Sequence, residues 1–557
     1  MHTRALLRVA FAAASLPLGA AAQLNGPFVG AEQARLGLAS PVFTDALGAT
    51  LDVDGDTAVL GNPSSVSAAL SQAGAALVFR RSGGGAWTQE STLVSLDLES
   101  GDRFAGAVAI DGDTLVAGAV GKVLAGVGRA GAAYVFVRSG SSWTQQQKLV
   151  ASDAALFDNF GYSVALSGDT LLVAANADDV NNIINAGSVY VFVRAGGAWT
   201  QQSKLSASDA GFGEQFGQVV ALDGDTALIG APFDNQPPFL SGAGSAYVFV
   251  RSNGAWTQQQ KLLAFDAAPF DTFGYSVALS GDTALVGAPA DDHSGFSDAG
   301  SAYAYTRSGS TWTLQQKLTS LAPGVDQNSG NAVALSGSVA LVAQSSVDNI
   351  DPSDPGAVYA YSRSGATWSY ETTLWPGDAA NGDEFGAAVA LDGTTALVGS
   401  LETLPVGAGY VFELQTSPAL YCTAKTNSQG CAPTLSTSGA PSATSPAPFQ
   451  INASSVLNQK IGLLFYGFEP ANAPFQDGWI CIQPPTSRTA PQSSGGTPPP
   501  DNCSGSYSFD FNALIRSGAD PLLVVGRDVF VQYWSRDPAY SGVKTGLTSA
   551  AHFAIQP

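Results

Sequence analysis

Along 273–279 large and small side chains alternate: Phe273, Tyr275, Val277 and Leu279 fall on one side, Gly274, Ser276 and Ala278 on the other. A period of two with the bulky groups on a single face predicts a β-strand packed on that face. Ser280-Gly281-Asp282 follows, a two-residue hairpin signal that reads Asp-Gly elsewhere in the chain, and Thr283 to Gly287 continues as a second strand. After a polar loop come Gly300 to Arg307, the turn Ser308-Gly309, and Thr311 to Leu318. The unit is four short strands joined by tight turns.

The unit recurs. Trp followed by Thr or Ser stands at Trp87, Trp143, Trp199, Trp256, Trp312 and Trp368, always 56 or 57 residues apart. The hairpin glycine recurs seven times, at Gly55, Gly112, Gly168, Gly224, Gly281, Gly337 and Gly393. The aromatic third strand runs in phase from Leu77-Val-Phe79 through Tyr190-Val-Phe192 to Tyr410-Val-Phe412. Four strands per unit and seven units predict an all-β, seven-bladed β-propeller over residues 23–415. The seventh copy ends at Phe412-Glu-Leu414 without its Trp strand, whereas Glu32-Gln33-Ala34-Arg35-Leu36 echoes Gln259-Gln260-Lys261-Leu262 at the same distance from a hairpin aspartate. The segment about 30–38 is therefore expected to supply the outer strand of the last blade. Regular recurrence assigns the tryptophans to packing between blades.

From Thr416 the repeat stops. Strand-like runs at Ile461–Phe468, Trp479–Gln483, Tyr507–Phe511, Leu522–Val525 and Val529–Trp534, separated by Ser/Pro-rich stretches, predict a small disulfide-bonded β-sandwich over 416–557. All four cysteines lie here, and the shortest loops pair Cys422 with Cys431 and Cys481 with Cys503.

Composition narrows the function. Charged residues make up 12% of the chain, and 45 acidic against 24 basic residues give a net charge of −21, which argues against nucleic-acid binding. Residues 1–22 read as a secretory signal peptide: Arg4 and Arg8, an apolar run from Val9 to Leu18, then Ala20-Ala21-Ala22. No later stretch is long and apolar enough for a transmembrane helix. Export and disulfides agree on a secreted or cell-surface protein.

Phe216-Gly217…Gly230-Ala231-Pro232 and Phe273-Gly274…Gly287-Ala288-Pro289, with partial copies at Phe160-Gly161 and Phe385-Gly386…Gly399, carry a resemblance. On these motifs residues 30–414 resemble the FG-GAP repeat family, similar to the seven-bladed head of integrin α chains and to many exported bacterial proteins. The resemblance implies a propeller and extracellular binding, and brings no enzymatic activity with it. Family hairpins often carry a calcium loop, D-x-D-x-D-G-x-x-D. Here the hairpin is shortened, and only Asp52-Val-Asp54-Gly55-Asp56 keeps a trace of it. The C-terminal part resembles a module of other exported bacterial repeat proteins through Gly462-Leu-Leu-Phe-Tyr-Gly467 and Gln532-Tyr-Trp-Ser-Arg-Asp-Pro538.

The long loops, at the blade ends opposite the hairpins, concentrate acids: Asp153, Asp158, Asp209, Glu214, Asp234, Asp266 and Asp271 among them, with Asp348, Asp351, Asp354, Asp378, Asp383 and Glu384 continuing the series. Loops on a rigid scaffold are where recognition resides. The expected function is a non-enzymatic binding or adhesion scaffold that presents this acidic face to an extracellular protein or glycan. The alternatives are a glycan lyase or hydrolase working at the channel and a structural envelope protein. No cofactor is required. Weakly bound calcium, at ~10⁻⁴–10⁻³ M, is expected at Asp178/Asp179 and Asp291/Asp292, with Asp298 or Asn185 adding oxygen ligands.

Overall fold

The computed structural model describes residues 28–555 except 39–45, 68–69, 84, 237–239, 321–323, 346–355, 379–382, 402–406, 417–418, 422–423, 439–440, 445–447, 469, 476–477, 483–485, 498–499, 525–526 and 540–544. The segment 1–22, Asp348, Asp351, Asp354 and Cys422 lie outside the described residues.

Seven four-stranded antiparallel sheets follow one another along the chain, six of them hydrogen-bonded in sequence order from first strand to fourth. In blade one these are Thr50–Asp54, Thr57–Asn62, Ala75–Arg81 and Trp87–Leu93; in blade five, Ser276–Ser280, Thr283–Ala288, Ser301–Ser308 and Thr311–Thr319. Blade seven takes three strands from 388–416, and its outer strand is Phe28–Leu36, with Phe28 opposite Thr416 and Leu36 opposite Gly409. The ring is therefore closed by hydrogen bonds between its two ends.

The second strands are buried from end to end because both of their faces are covered. Each apolar core lies between two neighbouring sheets: Val116 and Val135 of blade two meet Phe160, Val173 and Tyr190 of blade three, and Val53, Leu60 and Leu77 of blade one meet Leu397 and Val411 of blade seven. Burial of this kind, at roughly 25 cal/mol per Å² of apolar surface, drives closure. The Phe of each Phe-Gly pair sits under its own third strand, as Phe273 does edge-on to Tyr303 and Tyr305. The paired glycine forms the seam between blades. Gly274 has φ of 92°, and a Cβ on Gly230 of the preceding blade would overlap the Gly274 carbonyl oxygen. This turn also explains why the first strand starts at Ser276 and not at Phe273: the side-chain alternation runs on through a residue whose backbone has left the extended region.

In the C-terminal part, Ala419–Tyr421, Thr545–Ala554, Asp528–Arg536 and Ile461–Gly467 form the larger sheet, edged by two-residue strands. Thr434–Ser438, Gln450–Val456 and Gly505–Asp510 form a second sheet of three strands. Leu435 and Ile451 from the smaller sheet and Val529, Val531, Tyr533 and Phe553 from the larger share one core, the packing of a sandwich. A helix, Phe511–Ser517, covers one side with Phe511 and Ile515; Asp510 caps its start and Gly518, at φ of 65°, ends it. The expected strand at 522–525 is absent from the described Leu522, Leu523 and Val524, which turn back on Asp520.

Both expected disulfide pairings are overturned. Cys431 is bonded to Cys503, across 72 residues, so neither Cys422–Cys431 nor Cys481–Cys503 forms; Cys481 is itself disulfide-bonded. The reason lies in strand direction. Thr434–Ser438 and Gly505–Asp510 both run antiparallel to Gln450–Val456 between them, so the segments leading into them enter from the same end of the sheet. Among the described residues no helix is long and apolar enough to cross a membrane.

Candidate functional site

The propeller has two unlike faces and a channel of about 640 Å³ between them, lined by the first strands. On the hairpin face the short side chain before each hairpin glycine reaches the next blade. Asp54 accepts from the Gly112 N–H, Asp111 from Gly168, Ser167 from Gly224 and Asp223 from Gly281. Ser280 accepts from Gly337, Ser336 from Gly393 and Asp392 from Gly55, which completes the circle. The acid after the glycine turns elsewhere: Asp56, Asp113, Asp169, Asp225 and Asp282 each take the Nε–H of an arginine from the third strand at 2.6–2.7 Å. The apparent calcium remnant is thereby explained. Asp52 accepts from Val53 and Ile110, Asp54 from Gly112 and Asp56 from Arg81, so the three carboxylates point to three different places.

On the long-loop face most of the acids expected to meet a partner are structural. In blades three to five a lysine of the outer strand stands across from the first tyrosine of the third strand, and its ammonium is held between two carboxylates. Lys204 lies 2.7 and 2.8 Å from Asp153 and Asp178, Lys261 lies 2.7 and 2.5 Å from Asp209 and Asp234, and Lys317 lies 2.7 Å from both Asp266 and Asp291. Tyr190, Tyr247 and Tyr303 donate to Asp153, Asp209 and Asp266. Burial raises the pKa of Asp153, Asp209 and Asp266, but the lysine and tyrosine hydrogen bonds outweigh it and hold these carboxyls below their usual range. Asp158, Glu214 and Asp271 are buried and close their loops by accepting an N–H three residues back. Burial, reinforced by Asp234, pushes Glu214 up to about 7; burial, reinforced by Asp291 and Asp292, pushes Asp271 up to about 6.

This places the five proposed metal ligands. Asp178 and Asp291 face lysines, Asp179 accepts from the Asn185 N–H, and Asp292 accepts from the Asp298 N–H. They are not gathered around one point, and among the described residues no three His, Cys, Asp or Glu side chains are grouped as a metal site. One member of each expected pair, Asp178 and Asp291, is already neutralised by a lysine shared with a different carboxylate, Asp153 and Asp266. His293 bridges its own loop through Ser294 and the Gly300 carbonyl. The tryptophans pack between blades: the indole N–H of Trp199, Trp256, Trp312 and Trp368 donates to a glutamine of the preceding outer strand. Trp534 packs against Phe465 and Leu547, and Asp537 accepts from the Ser428 N–H.

What the sequence reading missed is an asymmetry. The residue after the Phe-Gly turn is Ala49, Gly106 and Ala387 in blades one, two and seven, but Tyr162, Gln218, Tyr275 and Asn331 in blades three to six. These four line the channel, at the strand ends nearest the long loops. Gln218 donates to the Tyr162 hydroxyl at 3.0 Å and is steadied by Asn176 at 2.9 Å, while Tyr275 stays 42% exposed. The loops of the same arc display Leu156, Phe157, Ile184, Phe212, Phe265 and Phe270 to solvent. Phe157 and Phe270 do so at φ of 69° and 71°, a costly backbone state for a bulky residue. The signal was present in the sequence as Phe and Leu at loop positions, hidden among the acids.

A family model described as FG-GAP repeat matches residues 87–136, 143–192, 199–249, 256–305 and 368–412. Each match begins at or beside the outer-strand tryptophan of one blade and ends in the third strand of the next. None of the curated proteins matches the chain. Among solved structures it is similar to one described as the crystal structure of a mitotic checkpoint complex, at 12% identity and a TM-score of 0.41, over 74% of this chain and 99% of that one. That likeness is too distant to bear on function.

Proposed function

Because the chain is an FG-GAP repeat β-propeller, we propose that it is a secreted, non-enzymatic binding scaffold that holds an extracellular protein on the long-loop face of blades three to six. The observation that carries this reading is the coincidence on one arc of Tyr162, Gln218, Tyr275 and Asn331 at the channel end with solvent-exposed Phe157, Phe212, Phe265 and Phe270 on the loops. Apolar groups shown to solvent by several neighbouring loops of a rigid scaffold suit a protein contact. Two strained phenylalanines kept at the rim fit the same purpose, since strain persists where function repays it. The carboxylates of this face act mainly as internal ties, so apolar contact supplies the grip and residual charge guides approach.

The test uses the full chain against panels of purified extracellular proteins and glycans, beside a Phe212→Ser/Phe265→Ser variant. A protein ligand is expected, bound at least tenfold more weakly by the variant at an unchanged unfolding midpoint. A ligand indifferent to both substitutions, or turnover of a glycan in the panel, would replace this reading.

A further inference from the structure

We infer that the hairpin end of blade six is a binding site for a carboxylate anion, held by the Arg363 guanidinium and the Ser338 hydroxyl. It lies on the face opposite the proposed protein contact and does not rest on that reading.

Blades one to five place an aspartate after the hairpin glycine and pair it with the third-strand arginine. Blade seven has lost both partners: Thr394 and Leu414 occupy the two positions, joined by the same backbone hydrogen bond. Blade six has lost only the acid. Its hairpin reads Ser336-Gly337-Ser338, and the Arg363 N–H still donates to the Ser338 carbonyl at 2.8 Å, as Arg307 does to Asp282. The guanidinium is held as in the other blades: Nη1 donates to Thr283 Oγ1 of blade five at 2.7 Å, and the group lies over the Trp368 ring at 5.4 Å. Among the described residues Arg363 forms no ion pair. The side chain that replaces the aspartate is 8% exposed, and its hydroxyl oxygen is buried without a hydrogen-bond partner. A buried hydroxyl left unsatisfied costs about 1–3 kcal/mol.

Arg363 and Ser338 line a cavity of about 530 Å³ together with Gly337, Gln315 and the Asp282–Arg307 pair of blade five, and the Ser338 hydroxyl turns out of its buried position to meet a ligand there. Asp282 and Arg307 neutralise each other, which leaves Arg363 as the uncompensated charge. Burial holds Arg363 below the ordinary arginine pKa. A guanidinium with free donors in a fixed fork matches a planar carboxylate in charge and shape, and the hydroxyl adds a donor beside it. The ligand chemistry is that of the missing side chain itself. The family model passes over this copy, leaving 306–367 unmatched, in keeping with its departure from the other blades.

The test uses the full chain with sodium acetate as the free carboxylate and polygalacturonate as the polymer-borne one, against sodium chloride of equal ionic strength. Binding is followed by NMR line broadening of the probe and by the unfolding midpoint. The wild-type chain is expected to bind acetate saturably. Ser338→Asp, which restores the arrangement of the other blades, should weaken acetate binding at least tenfold and raise the midpoint in chloride. Arg363→Gln should abolish binding without that gain. Tighter binding of polygalacturonate per carboxylate would assign the site to a polymer, and equal binding to a small free anion; either supports the inference. Acetate broadening no greater than a chloride background, or unchanged in Ser338→Asp, would overturn it.

Discussion

At the scale of single residues, this propeller spends its acids on itself. Asp234, Asp178 and Asp291 are buried beneath a lysine, and truncating that lysine strands a charge. Lys261→Met should therefore destabilise the chain by ~2–3 kcal/mol, less than the usual loss for a fully buried pair because Asp209 remains half exposed to water; urea unfolding followed by tryptophan fluorescence measures it. The raised carboxyls set a pH dependence. Asp52, pushed up to about 7 mainly by burial, Glu214 at about 7 and Asp271 at about 6 titrate near 4 when unfolded. Between those values the native state binds more protons, so stability should fall as pH rises from about 5 to 8. Below pH 4 the lowered Asp153, Asp209 and Asp266 act the other way, and stability should fall again as they are protonated. A midpoint that climbs steadily from pH 5 to 8 would contradict this assignment. Little of it was legible beforehand. The partner of each acid lies on another strand or another blade, so a run of aspartates in loops reads as a surface. The one available clue was that Lys261 and its kin recur in phase with the tyrosine they face.

Elements were easier to read than contacts. Side-chain alternation and hairpin glycines placed the blade strands, because sheet faces and tight turns are dictated by neighbours along the chain. The C-terminal part was less legible: the helix Phe511–Ser517 has its Asp510 and Gly518 caps in plain view, yet the expected strand stops at Phe511 and no helix is read beyond it. The cysteine pairing depended on two strands entering one sheet from the same end, which spacing cannot reveal. Closing 72 residues, the Cys431–Cys503 bond should contribute about 4 kcal/mol by loop entropy. A Cys431→Ala/Cys503→Ala variant should lose the C-terminal transition in calorimetry well before the propeller melts. On the loops, Phe270→Gly should raise stability by about 0.5–1 kcal/mol, as relief of the left-handed backbone outweighs the added chain entropy. The same change should weaken the partner contact, and a drop in stability would mean that Phe270 packs more than its 67% exposure indicates.

For the whole molecule, seven in-phase copies made the ring legible from end to end, because a period of 56 or 57 residues survives local variation. The channel asymmetry did not show, since it is a difference between copies and the eye follows what they share. Removing residues 1–37 would leave Ala408–Thr416 as an open sheet edge beside an exposed core. Strand-exchanged oligomers and a lower midpoint are the expected outcome, measured by light scattering and calorimetry; a monomer of unchanged midpoint would show that the clasp is dispensable. The geometry of that clasp has a mechanical side. Phe28 lies opposite Thr416, so the two points where the chain enters and leaves the ring sit at the same end of one strand pair. Tension applied between them loads the hydrogen bonds one after another, as a zip is opened, and never all at once, as in shear. A ring closed by packing around its whole circumference should part at low force when drawn by its own two ends.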